Sequence, residues 1–259
     1  MSTIIYPSPI FGPVHSRRLG VSLGVNLMPG DGKVCSFDCI YCECGFNSDF
    51  RPKQKRPTRE EVKEALTQVL KQRHEDGEPL DVITFAGNGE PTGHPDFAGI
   101  IDDTIKVRNQ YFPEAKVSVL SNATYIQKED IHEALMRVDN NIQKLDTIDP
   151  LYINKVDRPQ QTTYDVRKVV EYLKAFRGHV IIQTMFMRGD YKGETVDNTS
   201  EAYVAPWLKA VMEIQPQQVM IYTIDRETPA QGLLKAKPEW LDALKERIES
   251  IGIKCSASY

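Results

Sequence analysis

The chain has no stretch approaching the roughly 20 apolar residues needed to span a bilayer. Its first twenty residues lack the basic start, apolar run and small-residue cleavage site of a secretory signal. These absences predict a cytoplasmic protein with no membrane partner. Cysteine is scarce, with four in residues 35–44 and one at 255. A disulfide-stapled fold would spread paired cysteines along the chain, so this cluster points to metal binding or redox work in a reducing compartment. Positive charge is not in surplus either. A formal net charge of −4 argues against a broadly basic nucleic-acid surface and leaves room only for a local patch. Repeats, low-complexity segments and an obvious linker are all missing.

What is present alternates. Short runs rich in Val, Ile and Leu at 20–27, 81–85, 116–120, 143–148, 180–187 and 218–223 read as strands covered on both faces. Between them lie helical stretches. Thr58-Arg-Glu-Glu61 reads as a capping box opening a helix to about His74, and helices follow over 96–110, 128–138, 163–176, 200–214 and 238–251. Six such alternations signal successive βαβ units. A full eight-unit barrel needs about 250 residues, and the long loop 28–57 consumes many of those available. The expectation is therefore an α/β fold, a partial (β/α)6 TIM-type barrel. It is read as a single domain over 1–259, with its core at about 18–225 and a C-terminal helix and tail at 238–259. Along the first strand Val21, Leu23, Val25 and Leu27 face helices, and Ser22, Gly24 and Asn26 leave the other face small and polar.

Directly after that strand comes Cys35-Ser-Phe-Asp-Cys39-Ile-Tyr-Cys42. Loops following barrel strands form the catalytic face. Thiolates are the usual ligands of iron–sulfur clusters, and one loop with these spacings can wrap three corners of a cube. The fourth iron then lacks a protein thiolate and stays open to a small molecule. A structural zinc site using Cys44 as fourth ligand is the alternative, although Cys42-x-Cys44 is cramped for a tetrahedral ion. Cys44 reads as a bystander or a thiol behind the ligands, and Cys255 as a buried structural cysteine.

The CxxxCxxC spacing, with Tyr41 just before the third cysteine, resembles the signature of the radical S-adenosylmethionine (radical SAM) superfamily. The segments GPVHSRRLGVSLGVNLMPGDGKVCSFDCIYCECG and IYTIDRETPAQGL look like its wyosine-synthase-related branch, and the likeness runs from about Phe11 to Leu241. The resemblance implies a [4Fe-4S] cluster on Cys35, Cys39 and Cys42, with S-adenosyl-L-methionine as the second cofactor. It implies reductive cleavage of that cofactor to a 5′-deoxyadenosyl radical, which takes hydrogen from a substrate. The partners it implies are a reductant such as flavodoxin or ferredoxin and a substrate, with RNA or a nucleotide among the possibilities. Simpler wyosine synthases carry a second cluster on upstream cysteines; no cysteine precedes Cys35 here, so their condensation chemistry does not carry over.

The later strand ends add candidates. Ala86-Gly-Asn-Gly-Glu-Pro-Thr92 is a Gly-rich turn at a strand's C-terminal end, where bare backbone can approach a ligand. Gly87, Asn88, Gly89 and Glu90 resemble the family's GGEP motif at the methionyl amino group, with Asn88 where the family has glycine. Ser121 and Asn122 either border the cofactor or cap a helix. Resemblance places Tyr222 and Thr223 beside the adenine, and Asp225 and Arg226 toward substrate or a closing loop. Lys144 and Asp146 read as cavity-facing or as an internal ion pair, and Gln183 is a weaker candidate of the same kind. The polar loop 188–199 is long enough to cover substrate, and Asp197–Ser200 reads as a plain N-cap. Arg51, Lys53, Lys55, Arg56 and Arg59 either hold phosphates or form a solvated surface; Arg17 and Arg18 are ambiguous in the same way. The five histidines are scattered and read as structural or surface groups. Two other functions stay open: a glycyl-radical-enzyme activase, and a non-catalytic metal- or nucleic-acid-binding module.

Overall fold

The computed structural model describes residues 3–16 and 20–259, so Arg17 and Arg18 lie outside the described residues. In chain order the elements are β1 (Ile10–Ser16), β2 (Gly20–Val25), α1 (Arg59–Glu75), β3 (Val82–Phe85), α2 (Phe97–Tyr111), β4 (Lys116–Ser121), α3 (Glu129–Arg137), β5 (Asn140–Lys144), α4 (Pro150–Val156) and α5 (Val166–Lys174). They continue as β6 (Ile181–Met185), β7 (Met187–Tyr191), β8 (Glu194–Thr195), α6 (Glu201–Ile214), β9 (Gln218–Tyr222), β10 (Leu233–Lys235), α7 (Pro238–Ser250) and β11 (Cys255–Ser258). The main sheet runs β1-β2-β3-β4-β5-β6-β9-β11, parallel throughout except for the antiparallel β1 at its edge. Helices cover its outer face, and the result is a partial barrel.

The two faces separate as alternation demands. Leu23, Val25, Ile83, Phe85, Val117, Val119, Ile182 and Val219 enter one core with Leu66 and Leu70 of α1, Leu135 of α3, Leu173 of α5 and Trp207 of α6. Each such large side chain, fully buried, stabilises the fold by about 1.5–3 kcal/mol. The inner face is sparser. Ser22 and Thr84 share a hydrogen bond of 2.8 Å across β2 and β3, while Leu120, Ile142, Ile181 and Met220 form a small separate cluster. The capping box of α1 is formed: the Glu61 N–H donates to Thr58 Oγ1 at 3.2 Å, and Glu61 Oε2 accepts from the Thr58 N–H at 2.6 Å. Thr58→Ala should lower stability by about 1 kcal/mol, read as a shifted urea midpoint with an unchanged slope.

Four local expectations change. The strand expected at 143–148 begins at Asn140 and ends at Lys144. Its polar start looks like a turn in sequence, yet Asn141 Nδ2 donates to the His179 carbonyl at 3.0 Å and Gln143 Nε2 donates to Asn141 Oδ1 at 2.6 Å, so the amide N–H groups find acceptors within the sheet. The strand expected at 180–187 breaks at Phe186, and β7 leaves the barrel for a small sheet of order β10-β7-β8. The expected loop 188–199 is therefore largely a β7–β8 hairpin. The tail supplies a seventh parallel strand, β11, beside β9. β1 and α4 were unforeseen as elements. β1 contains Pro13 and a register shift between Phe11 and Val14, as an edge strand tolerates.

Candidate active site

The cysteine loop follows β2 and is fastened on three sides. At its base, the Lys33 N–H donates to the Phe50 carbonyl at 3.0 Å, and Asp31 accepts from the Lys53 N–H at 2.9 Å. Toward β3, the Val34 N–H donates to the Asn88 carbonyl at 2.9 Å. Toward α4, the N–H groups of Asp38 and Ile40 donate to the carbonyls of Asp157 and Val156 at 3.0 and 2.9 Å. Ile40, between two of the cysteines, is buried with Tyr152, Val156, Met185 and Met187. The turn at Gly89 presses on the loop: its φ is +149°, and a Cβ there would meet the Val34 carbonyl oxygen at 1.8 Å. Gly89→Ala should therefore push the loop off the turn and lower iron bound per chain by roughly tenfold, measured by iron assay after anaerobic reconstitution.

Cys35, Cys39 and Cys42 are half-buried and unpaired. Burial pushes the Cys35 thiol up to about 12 and the Cys39 thiol well above its ordinary range. Cys42 goes the other way: a hydrogen bond from the Cys44 thiol, helped by Lys33, pulls it down to about 6. Cys44 itself is buried and stays a thiol, within 3.4 Å of the Gly87 carbonyl. Its single proton serves that oxygen or Cys42, one at a time. Asn122 Nδ2 approaches Cys35 Sγ at 3.6 Å while donating to Ser36 Oγ at 2.9 Å. Cys42 thus sits beside a donor and a cation, which suits a ligand that must be ionised to bind metal. Among the described residues no three His, Cys, Asp or Glu side chains converge so as to hold a single metal ion.

The strand-end residues divide into two groups. Tyr41, Cys42, Gln183 and Tyr222 line one cavity of about 370 Å³, together with Leu120, Met185, Asp225 and Arg226. The other candidates border the cysteine loop instead. Glu90 is buried; its Oε1 accepts from the Thr92 N–H at 3.0 Å and its Oε2 from the Asn122 N–H at 2.6 Å, while burial holds its carboxyl above the usual range. Asn88 is fully enclosed, donating to the Tyr6 and Pro29 carbonyls at 2.8 and 2.9 Å. Its side chain braces the N-terminal segment. Ser121 Oγ accepts from the Ala123 N–H at 3.0 Å, a turn contact at the end of β4.

Lys144 and Asp146 form an internal ion pair rather than facing the cavity. The ammonium contacts Asp146 and the Tyr41 hydroxyl and lies 3.0 Å from Asp157 Oδ1. Both carboxylates are almost wholly enclosed, which makes a shared cation the favourable arrangement. Burial opposes the ammonium, but Asp146, Asp157 and Cys39 outweigh it and hold the Lys144 pKa well above normal. Arg226 strides the rim, pairing with Glu43 at 2.6 Å and with the Tyr6 hydroxyl at 3.0 Å. Of the basic patch, Arg59 grips Asp103 at 2.7 and 3.1 Å and Arg56 donates to the Gly93 carbonyl at 2.9 Å. Only Arg51, Lys53 and Lys55 remain as exposed charges.

Tyr6, Lys33, Asp38, Glu43 and Asp157 belong to the site and escaped sequence reading. Lys33 carried a signal, a lone lysine inside the cysteine loop. Asp157 carried none, because α4 was not foreseen. Among the described residues no helix is long and apolar enough to cross a membrane.

Comparison with known proteins agrees with this geometry. The radical SAM superfamily matches residues 31–200. A UPF0026 protein of Helicobacter pylori is 30% identical over 224 residues, covering 85% of this chain and 67% of that protein. A protein named GTPase Obg of Brachyspira hyodysenteriae is 27% identical over 244 residues, 93% of this chain and 33% of its own length. Among solved structures, Streptococcus suis SuiB bound to S-adenosylmethionine superposes with a TM-score of 0.63 at 14% identity, over 91% of this chain and 50% of that one. TYW1 with a lysine-pyruvate adduct gives 0.62 at 13%, over 88% and 73%. The chain thus spans a third of the Brachyspira protein and half of SuiB, and at these identities the superpositions speak for the fold. With three thiols on the first crossover, donors turned toward them and a cavity alongside, the chain belongs to the radical SAM superfamily of enzymes, with a [4Fe-4S] cluster and S-adenosylmethionine as its cofactors.

Proposed function

We propose that Cys35, Cys39 and Cys42 hold the cluster and that the adjoining cavity takes S-adenosylmethionine for reductive cleavage. One observation carries this: Cys42 and Tyr41 from the cysteine loop and Tyr222 at the end of β9 line the same space of about 370 Å³, a volume suited to a small cofactor. When bound, the cofactor pair supplies a one-electron cleavage of the sulfur–C5′ bond and a radical that abstracts hydrogen from a third molecule. The chain's own residues bind, orient and exclude water. Asn122 directs a donor at Cys35, and hydrogen bonds to ligand sulfurs tune such sites. Glu90, by accepting from the Asn122 N–H, sets where that donor points. Gln183 and Met185 line the barrel wall of the cavity, and Arg226 with Glu43 straps its rim.

The substrate enters beside that strap, and the electron comes from a one-electron donor such as flavodoxin or ferredoxin. Support for RNA or a nucleotide is weak, because Arg56 and Arg59 are spent on Gly93 and Asp103. The test is direct. Anaerobically purified protein should be brown, with about four irons and four sulfides per chain. It should release 5′-deoxyadenosine and methionine when reduced with S-adenosylmethionine. A colourless zinc protein, or an iron protein that leaves the cofactor intact, defeats the reading.

A further inference from the structure

Lys33 has no part in the reading above, yet its placement is unusual. A lysine is almost never fully buried unless its charge is answered, and this one is 3% exposed. Its backbone stands two residues before Cys35, and its ammonium donates to the Gly45 carbonyl, three residues after Cys42, at 2.6 Å. The side chain therefore ties the residue before the cysteine run to the turn after it. The nearest carboxylate, Asp38 Oδ1, lies 3.8 Å away. Asp38 is already answered elsewhere, by Arg158 at 3.2 Å and by the Asn47 N–H at 2.7 Å. Lys33 is thus a buried cation held beside the cysteine run by the Gly45 carbonyl, with no carboxylate closer than Asp38.

We propose that Lys33 is a positioning residue that serves as the cluster's counter-charge and makes its reduction easier. The inference rests on the three cysteines holding a [4Fe-4S] cluster. An oxidised core of charge +2 with three thiolates carries net −1; one electron from an external one-electron reductant takes it to −2, with no bond made or broken. A fixed positive charge in a low-dielectric pocket stabilises the more negative state more strongly, and salt screens it little. Cluster potentials follow net charge and hydrogen bonding around the sulfurs. Lys33 accordingly raises the potential at which the cluster accepts its electron.

The experiment is a redox titration of the reconstituted full chain with dithionite, followed by electron paramagnetic resonance, for wild type, Lys33→Met and Lys33→Arg. Wild type that holds no four-iron cluster overturns the reading beneath the inference. Given a loaded wild type, Lys33→Met should be at least tenfold harder to reduce, a shift of 59 mV to more negative potential for a one-electron couple. Lys33→Arg, which keeps the charge, should load iron and titrate within that interval of wild type. Lys33→Met that fails to load while Lys33→Arg loads and titrates normally also supports the counter-charge. Lys33→Met that loads with an unchanged potential overturns the proposal. So does Lys33→Arg that fails to load or shifts as far as Lys33→Met, because Lys33 is then only a brace for the Gly45 turn.

Discussion

Cys39→Ala is expected to abolish both the colour of the anaerobically purified protein and its release of 5′-deoxyadenosine. Cys39 is the middle cysteine of the proposed trio, and the chain on either side of it is pinned: the Asp38 and Ile40 N–H groups are bound to the Asp157 and Val156 carbonyls, and Ile40 is buried. Little movement is available to bring another sulfur into its place. Cys44, two residues beyond Cys42, is held in a buried pocket against the Gly87 carbonyl. Loss of a neighbour that merely orients a metal ligand costs about 10- to 100-fold in affinity or activity; loss of a ligand should exceed that range. Iron and sulfide assays with chromatography of the cleavage products measure both effects. Retained cleavage in the variant would mean that the cysteine trio is misassigned. Because Cys39 packs little apolar surface of its own, the fold should survive, and far-ultraviolet circular dichroism should stay unchanged.

The largest effect on stability is expected at Lys144. Its ammonium answers two enclosed carboxylates, Asp146 and Asp157, and touches the Tyr41 hydroxyl. Lys144→Met leaves both carboxylates buried without a cation. Removing one partner of a buried pair costs about 3–5 kcal/mol, because the uncompensated charge is what destabilises. Urea unfolding should show a lower midpoint with an unchanged slope. Adding Asp157→Asn to the same chain removes one of the stranded charges and should recover part of the loss. An Asp157 change that only adds further destabilisation would argue that Lys144 acts through packing, not charge. The consequence reaches the cysteine loop, since Tyr41 precedes Cys42 and the Asp157 carbonyl holds the Asp38 N–H.

The barrel was legible because its strands are apolar runs and its helices carry periodic stripes. Leu23, Val25 and Leu27 occupy the core that alternation assigns them. The Thr58–Glu61 cap was readable to the residue. What escaped is held by long-range contacts that leave no local trace. β11 is a short polar run, Cys255–Ser258, and becomes a strand because β9 offers it an edge. β5 starts with Asn140 and Asn141, a turn-like pair whose amides are satisfied from Ser118 and His179. The Lys144 pair read evenly as cavity or core; α4 decided it by bringing up Asp157, and α4 opens on a proline that resembles a turn. Tyr41, Cys42 and Tyr222, singled out by spacing and resemblance, line one cavity. Asn88 shows the limit of a motif: it stands at the position expected beside the cofactor, and its side chain is consumed by Tyr6 and Pro29.

The measurement closest to the central claim is Mössbauer spectroscopy of the iron-loaded protein, recorded with and without S-adenosylmethionine. An open corner predicts that about one iron in four changes its spectrum when the cofactor is added, while the rest stay as they were. Four irons that are indifferent to the cofactor would contradict an open corner, and a tightly held zinc in their place would contradict the cluster altogether.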